Sequence, residues 1–297
     1  MQLSWYLLWN FVIMLMIIAS GKCPVMTGKL LRTLAATTIV ILAGCVQAPE
    51  KANSHEMLNA TLWQQTSAEY ASMTNQIYRF ARINLDAALA DTSWTAALEQ
   101  TGGYSRLPPA VMLDIDETVL DNAPYEAHII KKLGRYSPDS FAEWCREEDA
   151  PVVPGAKAFL DYAVAQDVAV FYYSARREKL RECTTRNMRA LGLPLPEDSR
   201  LLLHDGTNKS TYREKVAGHY RILLLVGDNL EDFVEGSKSD PASRRKLALR
   251  HAGRWGRQWI VLPNSIYGHW EASMYNFDYQ LPRERQLQLK MQQLKEQ

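Results

Sequence analysis

The stretch VMLDIDETVLDN, Val111 to Asn122, passes from apolar residues straight into three acids within four residues, Asp114, Asp116 and Glu117. Carboxylates crowded at the end of a buried run repel one another and raise one another's pKa. A divalent cation relieves that repulsion, and hard Mg²⁺ takes oxygen ligands plus waters. Further along, VFYYSA supplies Ser174, HDGTNKS supplies Lys209, and LLLVGDNLED supplies Asp228 and Asp232. Carboxylates, an ammonium group and a hydroxyl are the set that phosphoryl transfer asks for. They offer a nucleophile, a proton donor, metal ligands, and compensation for the charge on the transferring oxygens.

Groups this far apart in sequence meet only if the fold gathers them. AVMLDID, VAVFYYSA (Val168 to Ala175), SRLLLHD (Ser199 to Asp205), RILLLVGDN (Arg221 to Asn229) and QWIVLPN (Gln258 to Asn264) read as strands. They alternate with helical stretches such as GAKAFLDYAVAQ and RREKLRECTTRNMRALG. Apolar strands alternating with helices indicate an α/β fold, a Rossmann-like parallel sheet flanked by helices. Ligands of such sheets bind at the carboxyl ends of the strands. The first strand would bring Asp114 and Asp116 there, the second Ser174, and the fourth Asp228 and Asp232. Residues 123–153 break the alternation directly after the acidic strand end and read as an inserted, small, mainly helical cap. Residues 56–105 hold two helices expected to contribute to the cap, their apolar residues at helical spacing (Leu58, Leu62, Tyr70, Met73, Ile77, Phe80, Ile83, Leu89). The core spans 106–282, and 283–297 form a terminal helix or tail.

The segment MTGKLLRTLAATTIVILAGC, from Met26, places Lys29 and Arg32 before an apolar run and small residues after it. That is the order of a bacterial secretory signal. Its ending, LAGC, resembles the lipobox of bacterial lipoproteins. The resemblance implies cleavage before Cys45, lipidation of that cysteine, and a chain anchored to a membrane. On this reading Met26 is the start and residues 1–25 an upstream extension. Residues 1–45 hold the extension and the signal, removed as far as the lipidated Cys45, and 46–55 form a tether. Val46 after the cysteine favours the outer membrane, with the protein periplasmic or surface-exposed. The competing reading is two membrane spans, but each apolar run is short of the ~20 residues a span needs. A net charge of +1 gives no case for a nucleic-acid polymer as partner. The basic run Ser243 to Arg257 reads as the wet face of a helix. Of the remaining cysteines, Cys145 and Cys183 could pair in an oxidising compartment or stay as buried thiols, and both readings stay open.

The strand-end DxDxT, then Ser174, Lys209 and GDxxxD, in that order, resembles the haloacid dehalogenase superfamily of phosphohydrolases. LDIDETVLDNAPY, EWCREEDAPVVPGA, DGTNKSTYREK, LLLVGDNLEDF and IVLPNSIYGHWE, with the lipobox, look like the class C acid phosphatases. These are bacterial lipoproteins of subfamily IIIB, and some act as 5′-nucleotidases. The resemblance runs from about Cys45 to beyond Trp270. It implies that Asp114 is the nucleophile, forming an aspartyl-phosphate, and that Asp116 is the acid/base. It implies Mg²⁺ held by Asp114, the carbonyl of Asp116 and Asp228, with Asp232 in support. Ser174 and Lys209 would bind the phosphoryl oxygens, Arg176 would bind substrate, Thr118 would fix the loop, and Trp144 and Tyr267 would contact a nucleoside. Glu117 is a helper at the loop. Small phosphate monoesters, nucleotides foremost, are the implied substrates, with a homodimer left open. A phosphotransferase would use the same residues, and a nucleotide-binding lipoprotein without turnover is the rival from another class. After Ser174 the family often has Asn-Arg, where this chain has Ala175-Arg176.

Overall fold

The computed structural model describes residues 55–195 and 200–296. Residues 1–54 lie outside them, and with them Met26, the signal and Cys45. Among the described residues no helix is long and apolar enough to cross a membrane.

The five apolar runs pair as β1 (Pro109–Leu113), β2 (Ala169–Arg177), β3 (Leu201–His204), β4 (Arg221–Gly227) and β5 (Trp259–Val261), in the order β3-β2-β1-β4-β5. Every pairing is parallel. A parallel sheet is covered on both faces, so its strands are apolar on both sides. In β1, Val111 and Leu113 face one apolar layer and Ala110 and Met112 the other. All seven residues of β4 are buried. The chain moves outward from β1 to β2 and β3, then crosses back to β4. The tips of β1 and β4 therefore flank the point where strand order reverses, the ligand-binding crevice of open α/β sheets.

The helices are α1 (Leu58–Thr66), α2 (Ala68–Ala90), α3 (Ala123–Lys131), α4 (Pro138–Glu147), α5 (Ala156–Ala165), α6 (Arg181–Ala190), α7 (Lys209–Ala217), α8 (Pro241–Arg250), α9 (His269–Ala272) and α10 (Arg283–Met291). The basic α8 buries none of its residues. Two expectations change. β2 runs through Arg177, where the sequence suggested a helix from Arg176, because Arg177 still registers with His204 of β3 and Arg176 is held by a buried partner. In α2 the buried face is Tyr70, Thr74, Tyr78, Ala81, Asn84, Leu85 and Ala88. Met73, Phe80 and Ile83 of the expected stripe are 41%, 51% and 61% exposed. Small residues let α2 approach closely. A Cβ on Gly155, which sits at φ +91°, would press on the Asn75 backbone and Tyr78 at 3.1 Å.

Between β1 and β2 stand α3 and α4. Ser137 and Ser140 cap α4 reciprocally, Pro138 starts it, and Glu148 ends it in the left-handed conformation. α1 packs on α3, whereas α2 packs on α5 and β4. Cys145 of α4 and Cys183 of α6 form a disulfide with Cα atoms 5.7 Å apart, which answers the open question of their pairing.

Candidate active site

Asp114 is the first residue past β1, and its N–H donates to the Val226 carbonyl of β4 (2.9 Å). Asp228 follows β4 directly, and Asp232 closes a single 3-10 turn, Leu230–Asp232. That turn folds tightly: the Asn229 N–H donates to the Asp232 carboxylate at 2.8 Å. One carboxylate oxygen each from Asp114, Asp228 and Asp232 lies within 4.8 Å of the others. Lys209, at the start of α7, donates to Asp114 at 2.6 Å and to Asp232 at 2.5 Å. Three carboxylates share one cation. Burial, then the Asp232 and Asp228 charges, push Asp114 well above the usual carboxylate range against the pull of Lys209. Asp228 is raised to about 7, by burial and then by Asp232. A hard oxygen donor set carrying surplus negative charge fits a divalent cation. It is Asp114 and Asp228, each at a strand tip, that would hold such an ion, with Asp232 engaged by Lys209.

The position of Asp232 depends on Gly227, since a Cβ built there would collide with its carboxylate. Gly227→Ala should force that carboxylate aside, with an overpacking cost of about 1–3 kcal/mol. Thermal unfolding should therefore show a lowered midpoint together with lost catalytic turnover. An unchanged midpoint with full turnover would contradict this placement.

Asp116 stands apart from the trio. Its carboxylate accepts from Arg176 Nη2 at 2.8 Å, Arg176 Nε at 3.0 Å, Asn122 Nδ2 at 2.7 Å and Ser174 Oγ at 3.3 Å. Burial alone would raise Asp116, but the guanidinium and amide outweigh it and hold the carboxyl below its ordinary value. Charge-assisted bonds of this kind are the strong ones. Arg176 was expected at the substrate. Its fork is directed at Asp116, Thr184 and Asn122.

The loop after Asp116 is built to hold its shape. Glu117 adopts φ +54°, a left-handed conformation that costs a non-glycine residue of order 1–3 kcal/mol. Compensating bonds come from Glu117 N–H to the Leu120 carbonyl (2.8 Å), Asn122 N–H to Glu117 Oε1 (2.8 Å), and the Tyr267 hydroxyl to Glu117 Oε2. Burial and the Asp116 charge raise Glu117 well above its usual value. Thr118 is fully buried, and its carbonyl accepts from the Tyr78 hydroxyl of α2 at 2.5 Å.

Thus Asp114, Asp116, Ser174, Asp228 and Asp232 from the strand ends meet Lys209 from the start of α7, and Thr118 is buried in the loop after Asp116. Trp144 lies at the rim, its Nε1–H donating to Asn122 Oδ1 at 3.3 Å, and Tyr267 reaches the loop through Glu117. Cys45 lies outside the described residues. Asn122 and Asn264 were not singled out from sequence, although both stand in the quoted motifs. Asn264 donates to Asp228 at 2.8 Å and accepts the Ile266 N–H at 2.9 Å, tying the fourth strand end to the loop that carries Tyr267. Tyr136 was missed as well. It is 62% exposed, packs against Tyr125 and Phe141, and lies within reach of the Asp116 charge. An aromatic spaced well away from the acidic motifs carries no signal of its own in one sequence.

Comparison with known proteins agrees with this geometry. The family described as HAD superfamily, subfamily IIIB (Acid phosphatase) matches residues 30–270. The structure of the class C acid phosphatase from Bacillus anthracis is similar at a TM-score of 0.74 and 30% identity, covering 81% of this chain and 97% of that one. The same enzyme with tungstate bound matches at a TM-score of 0.72 and 29% identity, covering 81% and 97%. With the acidic strand tips, the lysine and the parallel sheet in place, the chain belongs to the HAD superfamily, subfamily IIIB, the acid phosphatases, and is a phosphomonoesterase of small phosphate esters.

Proposed function

We propose that this phosphatase works through an aspartyl-phosphate on Asp114, requires Mg²⁺, and acts on 5′-nucleotides at the cell envelope. The observation that carries the reading is the division of labour among the acids. Asp114 sits with Asp228, Asp232 and Lys209, while Asp116 is held separately by Arg176, Asn122 and Ser174. A carboxylate Oδ of Asp114 attacks phosphorus as the ester P–O bond breaks, and Asp116, whose proton affinity rises when the ester's negative charge enters beside it, gives a proton to the departing oxygen. Asp116 then takes a proton from the water that attacks phosphorus, which frees Asp114 and inorganic phosphate. Lys209 and the Ser174 hydroxyl compensate charge on the phosphoryl oxygens. Mg²⁺, held by Asp114, Asp228 and the Asp116 carbonyl, would supply electrostatic stabilisation of the transferring group. Tungstate is a tetrahedral oxyanion like phosphate, and its binding to the Bacillus anthracis enzyme is in keeping with an oxyanion pocket here.

For the nucleotide, the support is the aromatic cluster on the cap. The rings of Tyr136, Phe141 and Trp144 each contact that of Tyr125, Tyr136 also contacts Phe141, and Tyr267 reaches the loop after Asp116 through Glu117. Aromatic faces bind bases of any sequence by stacking. For the envelope, the support is the LAGC signal together with the Cys145–Cys183 disulfide, since such bonds persist in oxidising compartments. The test is phosphate release from a panel of nucleotides, sugar phosphates and aryl phosphates, with and without EDTA. The expected outcome is a preference for 5′-nucleotides, loss of activity in EDTA and restoration by Mg²⁺. Full activity in EDTA, or no preference for nucleotides, would overturn the corresponding part of the reading.

A further inference from the structure

The Arg176 guanidinium lies in a buried socket beside Asp116. The residue is 4% exposed. One edge of its fork grips Asp116. On the other edge, Nη1 donates to Thr184 Oγ1 at 2.9 Å and lies 3.8 Å from Cys145 Sγ. The guanidinium carbon stands 5.4 Å from the centre of the Phe141 ring. Phe141 and Cys145 belong to α4 of the cap, and Thr184 to α6 beside the sheet. The walls of the socket thus come from two elements of different layers. Their buried contact is small, made by Ala142, Cys145, Leu180 and Cys183 with Phe141 packed against them. Within that contact, α4 and α6 are joined covalently by Cys145–Cys183.

We propose that Arg176 is a positioning residue for Asp116, and that the Cys145–Cys183 disulfide keeps its socket closed, making catalysis by Asp116 depend on the redox state of the cap. The inference rests on the reading of Asp116 as acid/base. With the bond intact, the α4 wall cannot draw back and the fork meets Asp116 edge-on. Reduction by a dithiol places two electrons and two protons in the Cys145–Cys183 bond, gives two thiols, and leaves the dithiol as its own disulfide. The cap helix is then held to α6 by few apolar contacts, by the Glu148–Arg186 ion pair at its end and by the Asn187 bonds to Ala150 just beyond it. The guanidinium gains room to swing, and the carboxyl of Asp116 loses its fixed direction toward the departing oxygen. Acid catalysis is sensitive to such displacement because it needs hydrogen-bond reach.

A fault in proton donation has a signature that general loosening lacks. It harms esters whose leaving group needs the proton and spares esters whose leaving group does not. The experiment measures kcat/KM on adenosine 5′-monophosphate, with an alkoxide leaving group, and on p-nitrophenyl phosphate, with a stable phenolate. Positioned acid catalysis contributes about 10²–10⁴-fold, so partial loss in Cys145→Ser/Cys183→Ser should lower the nucleotide value about tenfold and the aryl value by less than about twofold. Wild type treated with dithiothreitol, with alkylation of both cysteines as the check on reduction, should behave the same way. The double variant should not respond to the dithiol. Thr184→Val, which removes one wall contact at nearly constant volume, should show the same split at smaller size and guards against a double variant that fails to fold. Equal losses on the two esters, or no loss in folded protein, would overturn the proposal. Asp116→Asn is measured alongside. If it shows no split, the acid/base reading fails and this inference with it. If it splits and the disulfide variants do not, only the inference fails.

Discussion

Asp114→Asn should lower kcat on p-nitrophenyl phosphate by at least about 10⁴-fold, as removal of a nucleophile does in enzymes of comparable design. An amide has the shape of the carboxylate and keeps a carbonyl for Lys209, so the site stays filled. It has no anionic oxygen to attack phosphorus. Stability should not fall with activity. Asp114 sits among Asp228 and Asp232 with one lysine for all three, and removing one charge relieves repulsion while Lys209 keeps its 2.5 Å bond to Asp232. The unfolding midpoint should therefore hold or rise. Substantial turnover in a folded Asp114→Asn protein would contradict the assignment. A collapse of stability would show that the pair with Lys209 matters chiefly for folding.

Lys209→Met should behave in the opposite manner. Methionine matches the stem of lysine but brings no charge. Asp232 is fully buried and Asp114 nearly so, and Lys209 itself is 9% exposed. Removing one partner of a buried pair leaves an uncompensated charge and costs about 3–5 kcal/mol. For a domain of this size that is a fall of roughly 10 °C in the unfolding midpoint. Activity should fall too, by about 10²–10³-fold, the usual cost of deleting one donor to a developing oxyanion. Calorimetry and steady-state kinetics on the same preparation check both. A variant with wild-type stability would mean that the two carboxylates find another partner, and one with wild-type kcat would remove Lys209 from the phosphoryl group. The contrast between Asp114→Asn and Lys209→Met follows from counting charges at the strand tips.

Much of this site was legible because strand ends are. RILLLVG is buried throughout and apolar after Arg221, and a run of that kind followed by an acid marks a tip of a parallel sheet. The spacing of Asp114, Ser174 and Asp228 then placed each at its own strand, with Lys209 in the segment after the third. The expected face of α2 did not hold, because periodicity counts every apolar side chain alike. The helix lies on the sheet through Ala81, Leu85 and Ala88, and through Tyr78, whose hydroxyl is needed at the Thr118 carbonyl. Met73, Phe80 and Ile83 are more apolar and yet face outward. Arg176 was legible as a charge near the site but not as the partner of Asp116, since its hydrogen-bond partners are set by tertiary packing. The disulfide depends on two helices meeting across 38 residues of sequence, and no spacing rule encodes that. Asn122 and Asn264 orient Asp116 and Asp228 by single hydrogen bonds, which leave no pattern in one chain.

The central claim is that the phosphoryl group passes through Asp114. An acyl phosphate is reduced by borohydride to an alcohol, whereas a free carboxylate is not. The enzyme should be quenched during turnover of p-nitrophenyl phosphate, reduced with borohydride and digested, and the peptide VMLDIDETVLDN read by mass spectrometry. Conversion of Asp114 to homoserine, dependent on substrate and absent in Asp114→Asn, is the result expected. Modification of Asp116 in its place, or an unmodified peptide from enzyme shown by a burst of p-nitrophenolate to hold phosphate covalently, would contradict it.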